Sequence, residues 1–109
     1  MDQFAKTPRP PYYAVIFTTI RTPGDKKYAE MSERMESEVK KQPGFLGFES
    51  ARNEVGITVS YWIDKESIRN WRENSKHRVA RKRGKEVWYE AYILRICKVE
   101  HDYLWSRDK

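Results

Sequence analysis

Four segments of the chain are rich in β-branched and aromatic side chains. This pattern predicts β-strands. The four segments are Tyr12–Ile20, Phe45–Arg52, Ile57–Trp62 and a long final stretch from Trp88 onward. In the first and last of them, both alternating faces are largely apolar, which is typical of strands that are covered on both sides.

Two other segments carry apolar residues every three or four positions, which predicts amphipathic helices. The first opens at Thr22, a suitable N-cap, with Pro23 at the first helical position and Asp25 at the third, and it ends at Pro43 and Gly44. The second begins at Asp64 and ends at Gly84. Their inner stripes are Tyr28, Met31, Met35 and Val39 in the first and Ile68, Trp71, Ser75 and Val79 in the second.

The resulting order, β-α-β-β-α-β, is that of an α+β, ferredoxin-like fold. Residues 1–11 form a Pro-rich extended arm, and residues 12–109 form one domain. Two helices cover one face of a four-stranded sheet, and a second apolar face does not stay exposed to water. We therefore expect a homodimer that packs sheet against sheet, the alternative being a monomer whose arm or loops cover that face.

Composition excludes several classes of protein. The chain has 109 residues, a net charge of +6 and one cysteine, so a disulfide framework or a cysteine-based zinc site within one chain is not expected. Cys97 lies mid-strand among apolar neighbours, which predicts a buried, inert thiol. No apolar run is long enough to span a membrane, and the N-terminus lacks the apolar core of a secretory signal. These features predict a cytoplasmic protein without a membrane partner.

Three stretches carry a family resemblance: PPYYAVIFTTIRT, QPGFLGFESARNEVGITVSYW and WYEAYILRICKVE. They resemble the antibiotic-biosynthesis-monooxygenase-like domain, in particular its small, single-domain bacterial members. The resemblance implies a dimeric α+β barrel. It also implies a cofactor-independent monooxygenase acting on a small aromatic or quinone-like compound, whose anion passes an electron to oxygen. Other members degrade haem or have no settled activity, so the alternatives are a non-catalytic ligand-binding or stress-related dimer and a haem-binding protein.

Candidate site residues follow from the oxygenase hypothesis, which needs an apolar slot, a base and donors for negative charge. The catalytic candidates are Trp71, His77 and Arg95, and the pocket candidates are Trp62, Asn70, Trp88 and Tyr92. The alternative is that the aromatic residues are core and that Arg95 pairs with a carboxylate across the dimer. No metal or cofactor is expected, with haem as the alternative.

Helical spacing places His77 about 120° away from Trp71, on a stripe with Asn70, Asn74 and Arg81. This favours a surface or helix-end histidine over a ligand. In haem-degrading relatives the same helix supplies a tryptophan and a histidine, and the first strand supplies an asparagine. Tyr12–Ile20 contains no asparagine, and His77 follows Trp71 too soon.

Basic residues accumulate towards the end of the second predicted helix. Eight of them lie between Arg69 and Lys85, against one acid, Glu73. They either contact an anionic ligand or complement the helix dipole and stay solvated, and the second interpretation is favoured. No RNP-like, Gly-rich or helix-turn-helix motif accompanies them, so a nucleic-acid partner is not expected.

Overall fold

The computed structural model describes residues 3–107, apart from the side chain of Ser75. Its centre is an antiparallel sheet of four strands in the order β2-β3-β1-β4. The strands are β1 (Tyr12–Arg21), β2 (Phe45–Arg52), β3 (Gly56–Trp62) and β4 (Tyr89–Val99). The predicted strands and their β-α-β-β-α-β order are confirmed, and the protein has the predicted ferredoxin-like α+β fold.

The helices are α1 (Tyr28–Val39), α2 (Lys65–Glu73) and α3 (Ser75–Arg83), followed by a π-helical turn, Gly84–Trp88. The prediction of one long second helix was wrong, because Asn74 interrupts it with an extended ψ of 131°. The Asn74 side chain then caps α3 by accepting hydrogen bonds from the amides of Lys76 and His77. Asn74 therefore ends α2, and its side chain caps the start of α3.

This interruption overturns two further expectations for the second helical segment. Val79 is 60% exposed rather than part of an inner stripe, because α3 has turned away from the direction of α2. Gly84 has a right-handed φ of −57° and leads into the π-helical turn, so it is not the left-handed residue that ends a helix. The predicted position of Ser75 on the inner stripe lies outside the described side chains.

The start of α1 also differs from the prediction. Residues 22–27 form a loop in which Gly24, Lys26 and Lys27 have positive φ angles, so the helix begins only at Tyr28. The Thr22 hydroxyl donates to the carbonyl of Val87 at 2.6 Å instead of capping the helix. The Asp25 carboxylate takes over part of the capping, since it accepts from the amide of Ala29 at 2.9 Å. The predicted inner stripe of α1 is confirmed as its more buried side.

The helices cover one face of the sheet, which holds most of the core, except on β4, where Leu94 and Ile96 of this face stay about half exposed. Trp62 is 1% exposed and packs edge-on against Phe45 at 5.2 Å, and its indole nitrogen donates to Ser60. Trp88 is 3% exposed, and its indole nitrogen donates to the carbonyl of Lys26. These two tryptophans fix the two ends of the helix layer on the sheet, because each combines a large buried ring with a satisfied N–H group.

The other face of the sheet, which we call the open face, is covered only at one end. There the amide of Ala5 in the N-terminal arm donates to Glu49, and the Tyr61 hydroxyl donates to the same carboxylate. At the other end, three isoleucines stay between 44% and 47% exposed: Ile20, Ile57 and Ile93. The arm alternative is therefore correct for part of this face and leaves an apolar row uncovered.

Cys97 lies on the open face of the edge strand β4 and is exposed in the single chain. The expectation of a buried thiol was wrong for this chain by itself, because nothing covers β4 on its outer side. None of the helices formed by residues 3–107 is both long and apolar enough to cross a bilayer.

Candidate functional site

A cavity of about 220 Å³ lies between α1 and the helix-covered face of the sheet. It is placed near the β2–β3 hairpin, where the inward positions of three neighbouring strands change from apolar to polar. The side chains that face it from the strands are Phe17 and Thr19 from β1, Ser50 and Arg52 from β2, and Thr58 from β3, and those from α1 are Tyr28 and Ser32. Most of this lining consists of groups that donate hydrogen bonds.

Arg52 supplies the positive charge of the cavity. Its guanidinium donates to the hydroxyl of Thr19, which is buried, while Arg52 itself is exposed and so lies on the solvent side. Gly56 lies opposite Arg52 in the β2–β3 pairing, and a methyl group on Gly56 would overlap the guanidinium. The glycine therefore makes the space in which Arg52 lies across the end of the sheet.

Tyr28 forms the helix side of the cavity and is held by two neighbours. The guanidinium of Arg21 lies 3.5 Å from the centre of its ring, a cation–π contact. Its hydroxyl lies 3.5 Å from that of Tyr89, and burial raises the pKa of Tyr89 above its ordinary value. The Tyr89 phenol therefore stays protonated near neutral pH and donates its hydrogen bond to the Tyr28 hydroxyl.

Phe17 forms the apolar wall, with Tyr89 and Tyr92 packed behind it at ring distances of 5.6 Å and 5.2 Å. Within the described lining there is no Asp, Glu or His side chain. The cavity therefore combines an aromatic wall with one guanidinium and several hydroxyl donors. Such an arrangement stabilises negative charge on a bound ring, and it contains no carboxylate or imidazole to take a proton.

Trp71 and His77 come together outside this cavity, contrary to the 120° separation expected from a continuous helix. Their rings stack at 4.4 Å with an angle of 10° between the planes, because the break at Asn74 folds α3 back against the end of α2. The Nδ1 atom of His77 lies 3.1 Å from the Trp71 carbonyl oxygen, so the neutral ring donates through Nδ1. Haem binding through His77 stays a prediction that a haemin titration would test.

The pKa of His77 is lowered to about 4, mainly by burial and further by the nearby charge of Arg81, while the Trp71 carbonyl opposes the shift. Because the folded pKa lies below the ordinary value of 6.5, the unfolded chain binds more protons between about pH 6.5 and 4. We expect stability to fall as the pH is lowered through this window, by about 2 kcal/mol between pH 7 and pH 5. Urea unfolding at the two pH values measures this loss.

The control for this prediction is His77→Phe, which keeps an aromatic ring beside Trp71 and cannot take up a proton. Its loss of stability between pH 7 and pH 5 should be smaller than that of the wild type by about 2 kcal/mol. Equal losses in the two proteins would show that His77 titrates normally and that its stacked position does not exclude the charged ring.

The structure places the remaining site candidates apart from one another. Trp62 and Trp88 are core residues, and Asn70 is exposed on α2. Arg95 lies on the open face, where it pairs in register with Ile16, so the sheet separates it from Trp71 and His77. Of the seven candidates, two lie next to the cavity: Tyr92 packs behind Phe17, and Trp88 packs edge-on against Tyr28. In this cavity α1 supplies the helical wall, and the expected pocket wall from the second helix stays a prediction.

Sequence reasoning missed Thr19, Tyr28 and Arg52. A usable signal existed, since the helix-side positions of β1, β2 and β3 are polar at the same end: Thr19, Ser50, Arg52 and Thr58. Finding it requires the strand register, and a register shift between Phe45 and Gly47 determines which residues of β2 point inward. Among residues 3–107, no three His, Cys, Asp or Glu side chains are grouped so that they could hold a metal ion.

The ferredoxin-like sheet agrees with the family that sequence comparison finds. The family model described as antibiotic biosynthesis monooxygenase matches residues 11–83, which is more than half of the chain. The chain belongs to this family. The matched region contains β1, β2, β3 and the three helices, and β4 lies beyond it.

This chain is similar to two other proteins and to one solved structure in the comparisons that follow. It is 46% identical to the uncharacterized protein YqjZ of Bacillus subtilis over 99% of this chain and 96% of that one. It is 28% identical to a jasmonate monooxygenase of Pyricularia oryzae over 80% of this chain, but over only 43% of that protein. The fold matches SnoaB, a cofactor-independent oxygenase from Streptomyces nogalater, with a TM-score of 0.73 and 9% identity over 85% of this chain and 97% of SnoaB.

Proposed function

We propose that this member of the antibiotic biosynthesis monooxygenase family is a cofactor-independent oxygenase for a small phenolic or quinone-like compound. One observation carries the proposal: a cavity beside an aromatic wall in which Arg52 and several hydroxyls face the ligand and no acid does. Its volume of about 220 Å³ lies below the roughly 300–1,000 Å³ of sites for drug-sized ligands. We therefore expect a substrate of one or two rings.

The chemistry asks little of the protein beyond stabilising an anion. Arg52 lowers the pKa of a bound phenol because a guanidinium favours the charged form, and the proton leaves to water at the exposed side. The phenolate passes electrons to O2. One oxygen atom enters the substrate at a ring carbon that carries a hydrogen atom, which is a CH2 group in the keto tautomer, and becomes a carbonyl. The other oxygen leaves as water with two hydrogen atoms of the substrate. The substrate then supplies all four electrons and no reductant is needed.

The comparisons support the reaction class and do not name the substrate. SnoaB is a cofactor-independent oxygenase with the same fold, and the Pyricularia oryzae relative is a jasmonate monooxygenase. Both oxidise organic compounds according to their names, and both are distant from this chain. In this proposal Arg52 takes the main catalytic role, with Thr19 and Tyr28 beside it, because these three side chains meet in one cavity. They replace the catalytic candidates named from the sequence, Trp71, His77 and Arg95.

We also infer that two copies pack through their open faces to form a dimeric barrel. The uncovered isoleucines Ile57 and Ile93 flank Thr18 in one row across β3, β1 and β4, and Ile20 lies one row further. A two-fold axis brings such a row onto itself, so each isoleucine meets apolar surface of the partner. The cavity lies on the opposite side of the sheet and stays accessible in this arrangement.

The proposed function is tested by oxygen consumption. Purified protein, free of added metal and cofactor, is mixed with a panel of one-ring and two-ring phenols and hydroquinones under air, and the products are identified by mass spectrometry with 18O2. We expect at least one compound to gain a single 18O atom at a rate proportional to protein concentration. The same mixtures without oxygen should show no product.

Two results would contradict the proposal. One is oxygen uptake that does not exceed the spontaneous oxidation of the same phenols. The other is turnover that vanishes with a metal chelator and returns with a metal ion, which would assign the electrons to a bound metal. Saturable binding of a phenol without any turnover would favour the ligand-binding alternative.

A further inference from the structure

A second cleft lies on the outer side of α3 and has no place in the oxygenase hypothesis. It encloses about 460 Å³ and is lined by Arg78, Val79, Arg81, Lys82 and Lys85. The cleft belongs to the helix layer, so neither the cavity beside α1 nor the open face of the sheet includes any of its residues.

Arg78, Arg81 and Lys82 are on one side of α3 because their spacing is i, i+3 and i+4. Lys85 follows in the π-helical turn and lines the same cleft. Like charges three or four residues apart repel each other on a helix surface. Within the described part of the chain, none of the four forms an ion pair, and the only acid bridge to α3 joins Lys76 to Glu38. The fold therefore contains a concentrated positive charge that it does not itself neutralise.

The helix dipole explains only part of this charge, since Arg81 and Lys82 lie in the last turn of α3 and Arg78 does not. Because Asn74 ends α2, α3 begins at Ser75, and Arg78 lies near its positive end rather than near the negative end of a long helix. Cations there are unfavourable with respect to the dipole, although those in the last turn are favourable. The interpretation of the basic run as a solvated helix end therefore fits the last turn of α3 and leaves Arg78 unexplained.

The cleft also has a fixed wall. The Arg81 guanidinium donates to the carbonyl oxygen of Arg72 at 3.0 Å, which holds it between α2 and α3. Val79 offers an apolar contact, since it is 60% exposed between the charged side chains. A ligand with several negative charges and a small apolar part is complementary to this arrangement.

We propose that the α3 cleft binds a small molecule with two or more phosphate groups, held by Arg78, Lys82 and Lys85 beside the fixed guanidinium of Arg81. A nucleic acid is less complementary for two reasons. The stripe extends over only about 11 Å, seven residues of helix, which is too short for the several phosphates that duplex binding requires. No aromatic ring lines the cleft to stack on an unpaired base.

The test uses inorganic triphosphate as the probe and isothermal titration calorimetry of the full chain. We expect saturable binding that weakens as NaCl is raised, since salt screens exposed charges. The triple variant R78Q/K82Q/K85Q should bind at least about tenfold more weakly, because each removed cation loses a direct attraction to phosphate. Arg81 is left in place because it also holds α2 against α3.

The matched control is R34Q/K40Q/K41Q, which removes the same number of charges from α1 and the residues after it. These cations form exposed ion pairs with Glu30, Glu36 and Glu38, which contribute little to stability. The control should bind triphosphate like the wild type. Circular dichroism verifies that both variants are folded, and the single variant Lys82→Gln replaces the triple one if it is not.

Three outcomes would overturn the proposal. The first is the absence of saturable binding at millimolar triphosphate. The second is an equal loss of affinity in the two triple variants, which would show that only net charge matters. The third is binding of a single-stranded oligonucleotide at concentrations where triphosphate does not bind, which would identify the cleft as part of a nucleic-acid surface.

Discussion

Replacing Arg52 with Gln is expected to reduce kcat/KM for the oxygenation by a factor of about 10² to 10³. The reason is that Arg52 supplies the one positive charge in the cavity, and removing a single donor to a developing oxyanion has about this effect in other enzymes. Gln keeps a hydrogen bond donor for Thr19, so the fold around the cavity is retained. Arg52→Lys keeps the charge without the forked geometry of the guanidinium, so its kcat/KM should lie between those of the wild type and of Arg52→Gln.

A binding measurement checks the role of Arg52 even before a substrate is known. p-Nitrophenol changes its absorbance when it ionises, so its apparent pKa can be followed in the bound state. The wild type should lower that pKa by about one unit or more, because the guanidinium favours the phenolate. Arg52→Gln should abolish this shift, while Arg69→Gln, which removes an exposed cation from α2, should keep it. An unchanged shift in Arg52→Gln would exclude Arg52 as the anion-stabilising group.

Replacing Ile93 with Asp is expected to convert a dimer into single chains. The wild type should sediment with twice the mass of the 13.1 kDa chain at micromolar concentration. Ile93 is exposed in the single chain and would be buried in the proposed interface, where an unpaired carboxylate costs several kcal/mol. Because a two-fold interface contains the substitution twice, we expect the dissociation constant to rise by more than about 10³.

The control for the interface is Val79→Asp, which introduces the same charge at an exposed apolar position on α3, in the layer away from the open face. It should leave the mass unchanged. Ile57→Asp, in the same row as Ile93, should act like Ile93→Asp and guards against a purely local effect. A wild-type protein that sediments as a single chain at these concentrations would contradict the proposed dimeric barrel, and so would an Ile93→Asp variant that remains a dimer.

The fold was predictable because its signals are local. Strand positions follow from alternation and residue type, and β1, β2 and β3 differ from their predicted limits by one residue or less. The inner stripe of α1 was also correct, since it depends only on the helical period. The break at Asn74 was not predicted, because an Asn inside an apolar-periodic segment fits both a helix surface and a cap.

The candidate site was less predictable because it depends on register and on long-range contacts. Arg52 and Thr19 are 33 positions apart, and they meet only when β2, β3 and β1 pair in the observed register. Trp71 and His77 drew attention as chemically prominent residues, yet their stack lies outside the cavity. Arg95 was a catalytic candidate on β4. Alternation along a strand does not tell which face of the sheet a residue lies on, and Arg95 lies on the open face.

The sequence by itself determined the order of the elements, the α+β class and the presence of more apolar surface than two helices can cover, because these properties depend on residue type and spacing. Only the tertiary structure decided which polar residues share a cavity, which cations share a helix face and which end of the sheet the arm covers. The physical reason is that such neighbours are brought together by strand register and by a helix break, and a shift of one residue in strand register would exchange the two faces of that strand.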